Sequence, residues 1–314
     1  MKPVVAIDWG GTWIRAAVVE GGVITAGPHR ARKPSDLGDQ LEMVAALVGR
    51  LTEEPGARVS GVGVGVGGIV GHDGMVISSS NTGLSGVDLR SELTSRLHQE
   101  VLVINDVQAA ALAEAADAPP GSTVVLLMVG TGVGGAIVYD GHLVRGRGAA
   151  GDFGHTVISL NGPRCACGGT GCLEQLVSGR VFDDAARRLA TSGRSPQLAA
   201  LGRERAVHGG DLDAVARAGD REARLVLSDA AVALAGGLRA IAAASDPDRV
   251  VLGGGALQPE TYFRSLVDAT WEEQRPRWTA LEICSARWGD EAGLLGVGHL
   301  FGTVPGGGSK PADR

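Results

Sequence analysis

Three cysteines and one histidine in the middle of the chain have the residue types and the spacing of a metal site. Cys165, Cys167 and Cys172 lie within eight residues, and His155 precedes the first of them by ten. Three thiolates and one imidazole complete a tetrahedral Zn²⁺ shell, and a shell without an open position is structural rather than catalytic. The alternatives are three buried cysteines without a metal, or a disulfide among them, although nothing in the sequence indicates an oxidising compartment.

Two carboxylates flank this cluster. Asp152 comes three residues before His155, and Glu174 comes two residues after Cys172. A loop that is fixed by zinc would also hold both carboxylates in place. Because a carboxylate can accept two or more hydrogen bonds, this arrangement suits the recognition of hydroxyl groups.

Two glycine-rich turns, one in each half of the chain, join apolar strand-like segments. Residues 3–8 and 124–130 are the strands that precede the turns, and a second strand-like segment follows each turn. Glycines let the backbone approach a phosphate, and a threonine hydroxyl adds a donor, so both turns suit phosphate binding. The alternative is a plain hairpin turn. The candidate residues are Asp8, Gly10, Gly11 and Thr12 in the first turn and Gly130, Thr131 and Gly132 in the second.

The second turn also fits the pattern Gly-x-Gly-x-x-Gly, at Gly130, Gly132 and Gly135. A dinucleotide fingerprint of this kind must open a helix, whereas a strand-like segment and an Asp-Gly hairpin turn follow here. We therefore reject a dinucleotide fold. A Walker-type phosphate loop needs Gly-Lys-Ser/Thr, and it is excluded because the chain's three lysines all lie elsewhere.

Asn105 and Asp106 stand where a strand over 101–104 ends and a helix from about 107 to 117 begins. Ligands of α/β proteins bind at the carboxyl ends of strands, so Asp106 is a candidate catalytic carboxylate. The alternative is that Asp106 is the N-cap of the helix, a role that aspartate also favours.

Three further segments have a readable pattern. Residues 37–52 are predicted to form an amphipathic helix and residues 179–192 a second helix, whereas residues 193–210 are expected to be a flexible connection. Residues 249–257 read as a strand that enters a triple-glycine turn, Gly253 to Gly255.

Length and composition exclude several classes of protein. With 314 residues, 44% of them hydrophobic and 20% charged, the chain has ample core for two domains. A net charge of −6 without a local basic patch argues against nucleic-acid binding. No run of eighteen apolar residues occurs and a strand begins close to Met1, so we expect no membrane span and no signal peptide. Three of four cysteines in a metal-like cluster indicate a reducing cytoplasm.

The cysteine segment reads CACGGTGCLE, which is a full match to Cys-x-Cys-Gly-x-x-Gly-Cys-x-Glu. On this motif the chain resembles the ROK family of sugar kinases and repressors. The family pattern begins with Glu-x-Gly-His, whereas this chain reads DFGH, so Asp152 stands where the family usually has Glu. The shorter side chain leaves the identity of the sugar open. Residues 105–112 match the family's Asn-Asp-x-x-x-Ala-Ala-Leu, and the resemblance covers about residues 3–301.

The resemblance and the paired glycine turns imply an α/β fold of the actin-like ATPase (ribonuclease H-like) type. We expect two domains with a cleft between them and a structural zinc loop. The predicted division is residues 1–107 joined by a C-terminal helix over about 291–302, residues 108–290 with the zinc loop, and a disordered tail over 303–314.

The resemblance also implies a reaction. It is the transfer of a phosphoryl group from Mg-ATP to a hexose hydroxyl, with glucose to glucose 6-phosphate as the first expectation. Asp106 would accept the hydroxyl proton, and Asp8 would hold Mg²⁺ through water. The implied sugar contacts are Gly68, Asn81, Asn105, Asp106, Asp152, His155 and Glu174. The implied ATP contacts are the seven turn residues given above together with Gly254 and Gly255.

Several alternatives stay open. The sugar could be N-acetylmannosamine, mannose, allose or fructose, and the donor could be polyphosphate. A sugar-responsive repressor would carry a helix-turn-helix segment before the first strand, where we expect none, and a sensor without catalysis would not need Asp106. We expect a homodimer or homotetramer that binds a sugar and ATP.

Overall fold

The structure is a computed structural model that describes residues 2–52, 59–79 and 81–303. The chain folds into two compact units, and each of them draws on separate stretches of the sequence. Unit 1 comprises Met1–Ser122, Ile137–Ala150 and Arg287–Arg314, and unit 2 comprises Thr123–Ala136 and Gly151–Ala286.

Both parts of the chain contain strands and helices. The first part contains β1 (Val4–Trp9), β2 (Trp13–Glu20), β3 (Val23–Arg32), α1 (Leu37–Thr52), β4 (Val62–Val66), β5 (Ile69–Val70), β6 (Met75–Ser78), β7 (Val87–Asp88), α2 (Leu89–Leu97), β8 (Val101–Asn105) and α3 (Asp106–Glu114). The second part contains β9 (Thr123–Val129), β10 (Val133–Tyr139), β11 (His142–Val144), α4 (Gly179–Ser192), α5 (Pro196–Gly202), α6 (Gly209–Arg217), α7 (Arg221–Ser245), β12 (Arg249–Gly253), α8 (Tyr262–Gln274), β13 (Glu282–Ser285) and α9 (Ala292–Thr303).

The main sheet of unit 1 has the strand order β3-β2-β1-β4-β8. β1, β4 and β8 are parallel, and their residues are mostly buried and apolar, as is usual for parallel strands that are covered on both faces. β2 pairs antiparallel to β1, which sets Arg15 opposite Asp8. The carboxyl ends of β1, β4 and β8 share one edge, where a ligand of an α/β protein binds.

Helix α3 belongs to unit 1 because it packs against α9. The two helices approach so closely that a Cβ on Gly296 would lie 1.6 Å from the carbonyl oxygen of Ala109. The sequence predicted that the first domain ends at residue 107, before α3. In the structure the first stretch of unit 1 includes α3 and ends at Ser122. The predicted division into two domains stays a prediction.

The second five-stranded sheet has the order β11-β10-β9-β12-β13, with β9, β12 and β13 parallel. β5, β6 and β7 form a smaller antiparallel sheet. Helix α7 is long and apolar enough to cross a membrane by length and composition alone, but 56% of its most apolar stretch is buried within the protein. Such burial is typical of a core helix, and Leu227, Leu234 and Leu238 of α7 are almost fully buried.

Two predictions of secondary structure need correction. The segment over 193–210 is not a plain flexible connection, because it contains α5, whose N-cap is Ser195 and which begins at Pro196. The C-terminal helix extends to Thr303, which the sequence assigned to a disordered tail. Residues 304–314 of that tail lie outside the described residues.

Candidate active site

The end of β8 carries the candidate catalytic carboxylate. Asn105 is the N-cap of α3, because its Oδ1 accepts a hydrogen bond from the backbone N–H of Gln108 at 2.9 Å. Its Nδ2 donates to the carbonyl oxygen of Gly68 at 2.9 Å. Asp106 is the first residue of the helix, and its Oδ1 accepts the N–H of Val107 at 2.9 Å. The N-cap alternative for Asp106 is therefore wrong.

The environment of Asp106 suits a general base. Burial, followed by the negative charge of Asp8, raises the pKa of Asp106 from 3.8 to about 6. Its Oδ2 lies 3.4 Å from the position that a Cβ on Gly67 would take, so the carboxylate faces the glycine loop after β4. A general base works best when its pKa is near the operating pH and the proton that it accepts is within reach.

Asp8, at the end of β1, forms an ion pair with Arg15 of β2. The Asp8 Oδ2 accepts hydrogen bonds from Arg15 Nε at 2.9 Å and Nη2 at 2.5 Å. Sequence reasoning missed Arg15, although a residue that stands opposite Asp8 in a predicted hairpin was a signal for it.

The first glycine turn follows Asp8 directly. The backbone N–H of Gly10 donates to the carbonyl oxygen of Trp13 at 3.0 Å, which closes the turn. Among the described residues, the N–H groups of Gly11 and Thr12 have no hydrogen-bond acceptor. The exposed residue Asn81 lies at this turn, because its carbonyl oxygen is 3.1 Å from the position of a Cβ on Gly11.

The second glycine turn repeats this arrangement in unit 2. The N–H of Gly130 donates to the carbonyl oxygen of Gly132 at 3.0 Å. The N–H groups of Thr131 and Gly132 have no acceptor within the part of the chain that the structure describes. Both turns therefore present two adjacent backbone donors to an anion, which favours phosphate binding over a plain hairpin turn.

Gly254 lies against the strand that enters the second turn. Its φ is +90°, and a Cβ would lie 2.3 Å from the carbonyl oxygen of Val129, so only glycine fits at this position. Gly255 begins the short 3₁₀ turn that follows. The triple-glycine segment thus lies beside the second turn.

The Cys₃His cluster is assembled within unit 2. One ligand atom of each of the four residues, the three Sγ atoms and a ring nitrogen of His155, lies within 4.8 Å of the others. The Sγ atoms of Cys167 and Cys172 are 3.6 Å apart, and Cys165 Sγ is 3.6 Å from His155 Nδ1. A tetrahedral shell with Zn–S bonds of about 2.3 Å has S–S edges of about 3.8 Å, so the spacing fits zinc.

The thiols of this donor set can bind a cation only as thiolates. Burial raises the pKa of the Cys172 thiol to about 12, with a further contribution from the neighbouring sulfur atoms. Three adjacent thiolates repel one another unless a metal ion neutralises them, and a coordinating thiol is deprotonated outright. Gln175 supports the cluster from outside, since its Nε2 donates to Cys165 Sγ at 3.7 Å.

Asp152 lies beside the imidazole of His155. Its Oδ2 is 3.8 Å from His155 Nε2, the ring nitrogen that does not face the cysteines. Burial raises the pKa of Asp152, the charge of His155 lowers it and the charge of Glu174 raises it. The two flanking carboxylates that the sequence singled out are near enough for the charge of Glu174 to raise the pKa of Asp152.

Glu174 connects the cysteine segment to the second glycine turn. Its Oε2 accepts the backbone N–H of Val133 at 2.9 Å, and its Oε1 accepts a hydrogen bond from Arg180 Nη2 at 2.9 Å. Sequence reasoning missed Arg180, because nothing in its local sequence marks it.

Each unit thus holds its own set of candidate residues. Unit 1 contains Asp8, Gly10, Gly11, Thr12, Gly68, Asn81, Asn105 and Asp106, and unit 2 contains Gly130, Thr131, Gly132, Asp152, Glu174, Gly254, Gly255 and the Cys₃His cluster. A carboxylate at a strand end and two glycine turns with unpaired backbone N–H groups among the described residues are features that phosphoryl transfer requires.

Comparisons with known proteins identify the family. The sequence model of the ROK family matches residues 4–303. A glucokinase from Aeropyrum pernix is 34% identical over 310 residues, covering 95% of this chain and 96% of that protein. An N-acetylmannosamine kinase from Salmonella paratyphi B is 31% identical over 300 residues, covering 94% and 97%. The chain belongs to the ROK family.

Solved structures agree with this assignment. A ROK hexokinase from Thermus thermophilus has a TM-score of 0.80 and 32% identity, covering 94% of this chain and 96% of that one. A ROK glucokinase from Streptomyces griseus, in complex with glucose and AMPPNP, has a TM-score of 0.77 and 28% identity, covering 95% and 98%. The predicted family and the predicted α/β fold of the actin-like ATPase type are confirmed.

Proposed function

We propose that this chain is an ATP-dependent hexose kinase with glucose as its main substrate. The proposal rests on Asp106, a carboxylate at a strand end with a pKa of about 6. Because Asn105 is the N-cap of the helix, Asp106 does not cap it. Glucose is favoured because a glucokinase is 34% identical and a ROK glucokinase structure contains glucose together with the ATP analogue AMPPNP. N-acetylmannosamine is the alternative acceptor, supported by relatives at 31% identity.

In the proposed reaction Asp106 accepts the proton of the sugar hydroxyl. The hydroxyl oxygen then bonds to the terminal phosphorus of ATP, and the bond from that phosphorus to the bridging oxygen breaks to release ADP. Such a base supplies roughly 10²–10⁴ in rate. The paired N–H groups of Gly11 and Thr12 and of Thr131 and Gly132 stabilise charge on the phosphates, which is the larger part of catalysis in this chemistry.

The remaining assignments also belong to the proposal. Gly68, Asn81, Asn105, Asp152, His155 and Glu174 are assigned to the sugar, and Gly10, Gly130, Gly254 and Gly255 to ATP. His155 has Nε2 available for a hydroxyl while Nδ1 faces the cysteines. The cytoplasmic location and the assembly into dimers or tetramers stay predictions.

The side chain of Asp8 fits a water-mediated role toward Mg²⁺. Its Oδ2 is occupied by Arg15 at 2.5 Å and 2.9 Å, which leaves Oδ1 as the acceptor for a water. Mg²⁺ keeps several waters and binds through one or two carboxylates and the phosphates of the substrate. Mg²⁺ would neutralise charge on the phosphates, and Asp8 would orient one of its waters.

His155, Cys165, Cys167 and Cys172 would hold Zn²⁺. With four protein ligands no position is open for substrate, so the ion would supply structure to the loop and no chemistry to the reaction. Asp152 and Glu174 are held at the edges of that loop.

An assay of sugar phosphate formation tests the proposal, and ADP release is measured as well when ATP is the donor. ATP or polyphosphate is the donor, and glucose, mannose, N-acetylmannosamine, fructose and allose are the acceptors. We expect the highest kcat/KM with ATP and glucose. Sugar binding without phosphorylation from either donor would indicate a sensor, and a higher kcat/KM for N-acetylmannosamine would move the chain to that alternative.

The pH dependence should report the pKa of Asp106. Above about pH 6 the carboxylate is ionised and can accept a proton, and below that pH it is protonated. We therefore expect kcat/KM for the sugar to fall about tenfold per pH unit below pH 6. The measurement is initial rate against pH, with the coupling enzymes in excess at every pH. If kcat/KM begins to fall only near pH 4, neither burial nor the charge of Asp8 raises the pKa of Asp106.

Asp152→Glu should sharpen the choice between sugars that differ at C2. Aspartate is shorter than the family's glutamate by one methylene, so a bridging water or a bulkier C2 substituent can fill the gap. We expect mannose and N-acetylmannosamine to compete measurably with glucose in the wild-type protein. The variant should increase the preference for glucose by about 1 kcal/mol, or about fivefold, the scale of one hydrogen bond.

The measurement for this substitution is kcat/KM for the three sugars in both proteins. Asp184→Glu is a matched control, because Asp184 is an exposed carboxylate of α4 that pairs with Arg187. If the ratios of kcat/KM among the three sugars are unchanged in Asp152→Glu, residue 152 does not discriminate between substituents at C2.

A further inference from the structure

Arg180 lies beside the second glycine turn in a chain that offers no lysine there. Arg180 is the second residue of α4, and the first two residues of this helix donate hydrogen bonds to the turn. The N–H of Gly179 donates to the carbonyl oxygen of Gly130 at 2.7 Å, and the N–H of Arg180 donates to that of Thr131 at 3.4 Å. These bonds occupy the carbonyl groups of the turn and fix the backbone of Arg180 against it.

The guanidinium group of Arg180 flanks the turn at Gly132. The atom nearest to the position that a Cβ on Gly132 would take is Glu174 Oε2, and Arg180 Nη2 lies 3.6 Å from the same position. The side chain is 52% exposed, so it is accessible to a ligand, whereas its partner Glu174 is only 15% exposed. Glu174 Oε1 accepts the hydrogen bond from Nη2, and its other oxygen holds the N–H of Val133. Glu174 therefore fixes both the turn and the arginine in one arrangement.

This arrangement is suited to a polyanion. The N–H groups of Thr131 and Gly132 form no hydrogen bond within the described residues. A guanidinium has five N–H donors in a rigid fork that matches phosphate oxygens, and a charge-assisted hydrogen bond is about twice as strong as a neutral one. Two backbone donors and an adjacent guanidinium offer a phosphate more hydrogen bonds than the backbone donors alone.

We propose that Arg180 binds the phosphates of the nucleotide at the second turn. The inference rests on the proposed function, since it assumes a nucleotide donor. The bond to Glu174 positions the guanidinium in the absence of nucleotide, and the phosphates compete with Glu174 for its donors.

Binding of AMPPNP, ADP and adenosine, measured by titration calorimetry without sugar, tests this role. Arg180→Met removes the charge and keeps much of the apolar stem. We expect about tenfold weaker binding of AMPPNP, a smaller loss for ADP and no change for adenosine. Arg187→Met is the matched control, since Arg187 lies on the same helix, is 60% exposed and pairs with Asp184. It should bind all three ligands like the wild-type protein.

Glu174→Gln distinguishes a direct contact between Arg180 and phosphate from an indirect role in which Arg180 only holds Glu174 in place. Glutamine can still accept the N–H of Val133 through its amide oxygen, but it no longer neutralises Arg180. If Arg180 contacts phosphate, Glu174→Gln should bind AMPPNP as tightly as the wild-type protein or more tightly. If Arg180 only braces Glu174, both variants should weaken AMPPNP binding alike, and the inference is overturned.

The other outcomes are equally distinct. Unchanged AMPPNP binding in Arg180→Met, with normal binding by the wild-type protein, overturns the inference and leaves the proposed kinase intact. An equal loss for adenosine and AMPPNP also overturns it, because a phosphate contact cannot act on a ligand without phosphate. Absence of AMPPNP binding by the wild-type protein overturns the proposed ATP donor and this inference together.

Discussion

Asp106→Asn is expected to lower kcat by at least about a hundredfold, because the amide cannot accept the proton of the sugar hydroxyl. The substitution changes the shape of the side chain little, and Asn can still accept the N–H of Val107 that Asp106 accepts at 2.9 Å. The KM for the sugar should change less than kcat, since the lost interaction is made in the transition state. Steady-state kinetics with glucose and ATP measure both constants.

A matched variant controls for the loss of one negative charge. Asp39→Asn removes an exposed carboxylate from the first turn of α1, in the same unit, and should leave kcat within about twofold of the wild-type value. If Asp106→Asn keeps more than about a tenth of the wild-type kcat, Asp106 is not the base.

The sequence left two roles open for Asp106, and the structure shows why it could not choose between them. An N-cap accepts a hydrogen bond from the backbone two or three residues later, so Asn105 and Asp106 were both eligible. The observed helix begins at Asp106, one residue earlier than the predicted start at about 107. That shift of one residue gives the capping role to Asn105 and leaves the carboxylate of Asp106 for another use.

The local elements were the most predictable part of the fold. Helix α1 spans Leu37–Thr52 and α4 spans Gly179–Ser192, as their apolar patterns predicted. Helix α5 was missed although Ser195 and Pro196 are ordinary signals for a helix start. The helix is short and polar residues surround it, so its pattern was read as a connection.

The two arginines of the candidate site differ in how far local sequence could predict them. Arg15 reaches Asp8 only because β1 and β2 pair in a particular register. Arg180 lies near Gly132 because the start of α4 packs against the second glycine turn. Gly132 precedes Arg180 by 48 residues in the chain. The pairing within the hairpin could have indicated Arg15, whereas only tertiary structure brings Arg180 to its turn.

Cys172→Ala is expected to remove zinc from the protein and to lower its stability. Cys172 is almost fully buried and lies two residues before Glu174, so the loss of this ligand should disturb the loop as well as the metal. Structural zinc contributes folding free energy directly. A loss of about 3 kcal/mol would lower the melting temperature of a unit of this size by about 6–12 °C. Elemental analysis should give about one zinc per wild-type chain and almost none in the variant.

Cys284→Ala is the matched control for the loss of a cysteine. Cys284 lies in β13 outside the cluster, so its replacement should leave the zinc content unchanged. Wild-type protein that contains no zinc, with three thiols that titrate freely in the folded state, would contradict a metal site. Cys172→Ala should also weaken AMPPNP binding, because Glu174 holds the N–H of Val133 only while the cysteine segment keeps its shape. If the variant loses zinc and stability but binds AMPPNP normally, the cysteine segment stabilises the fold but does not position the second glycine turn.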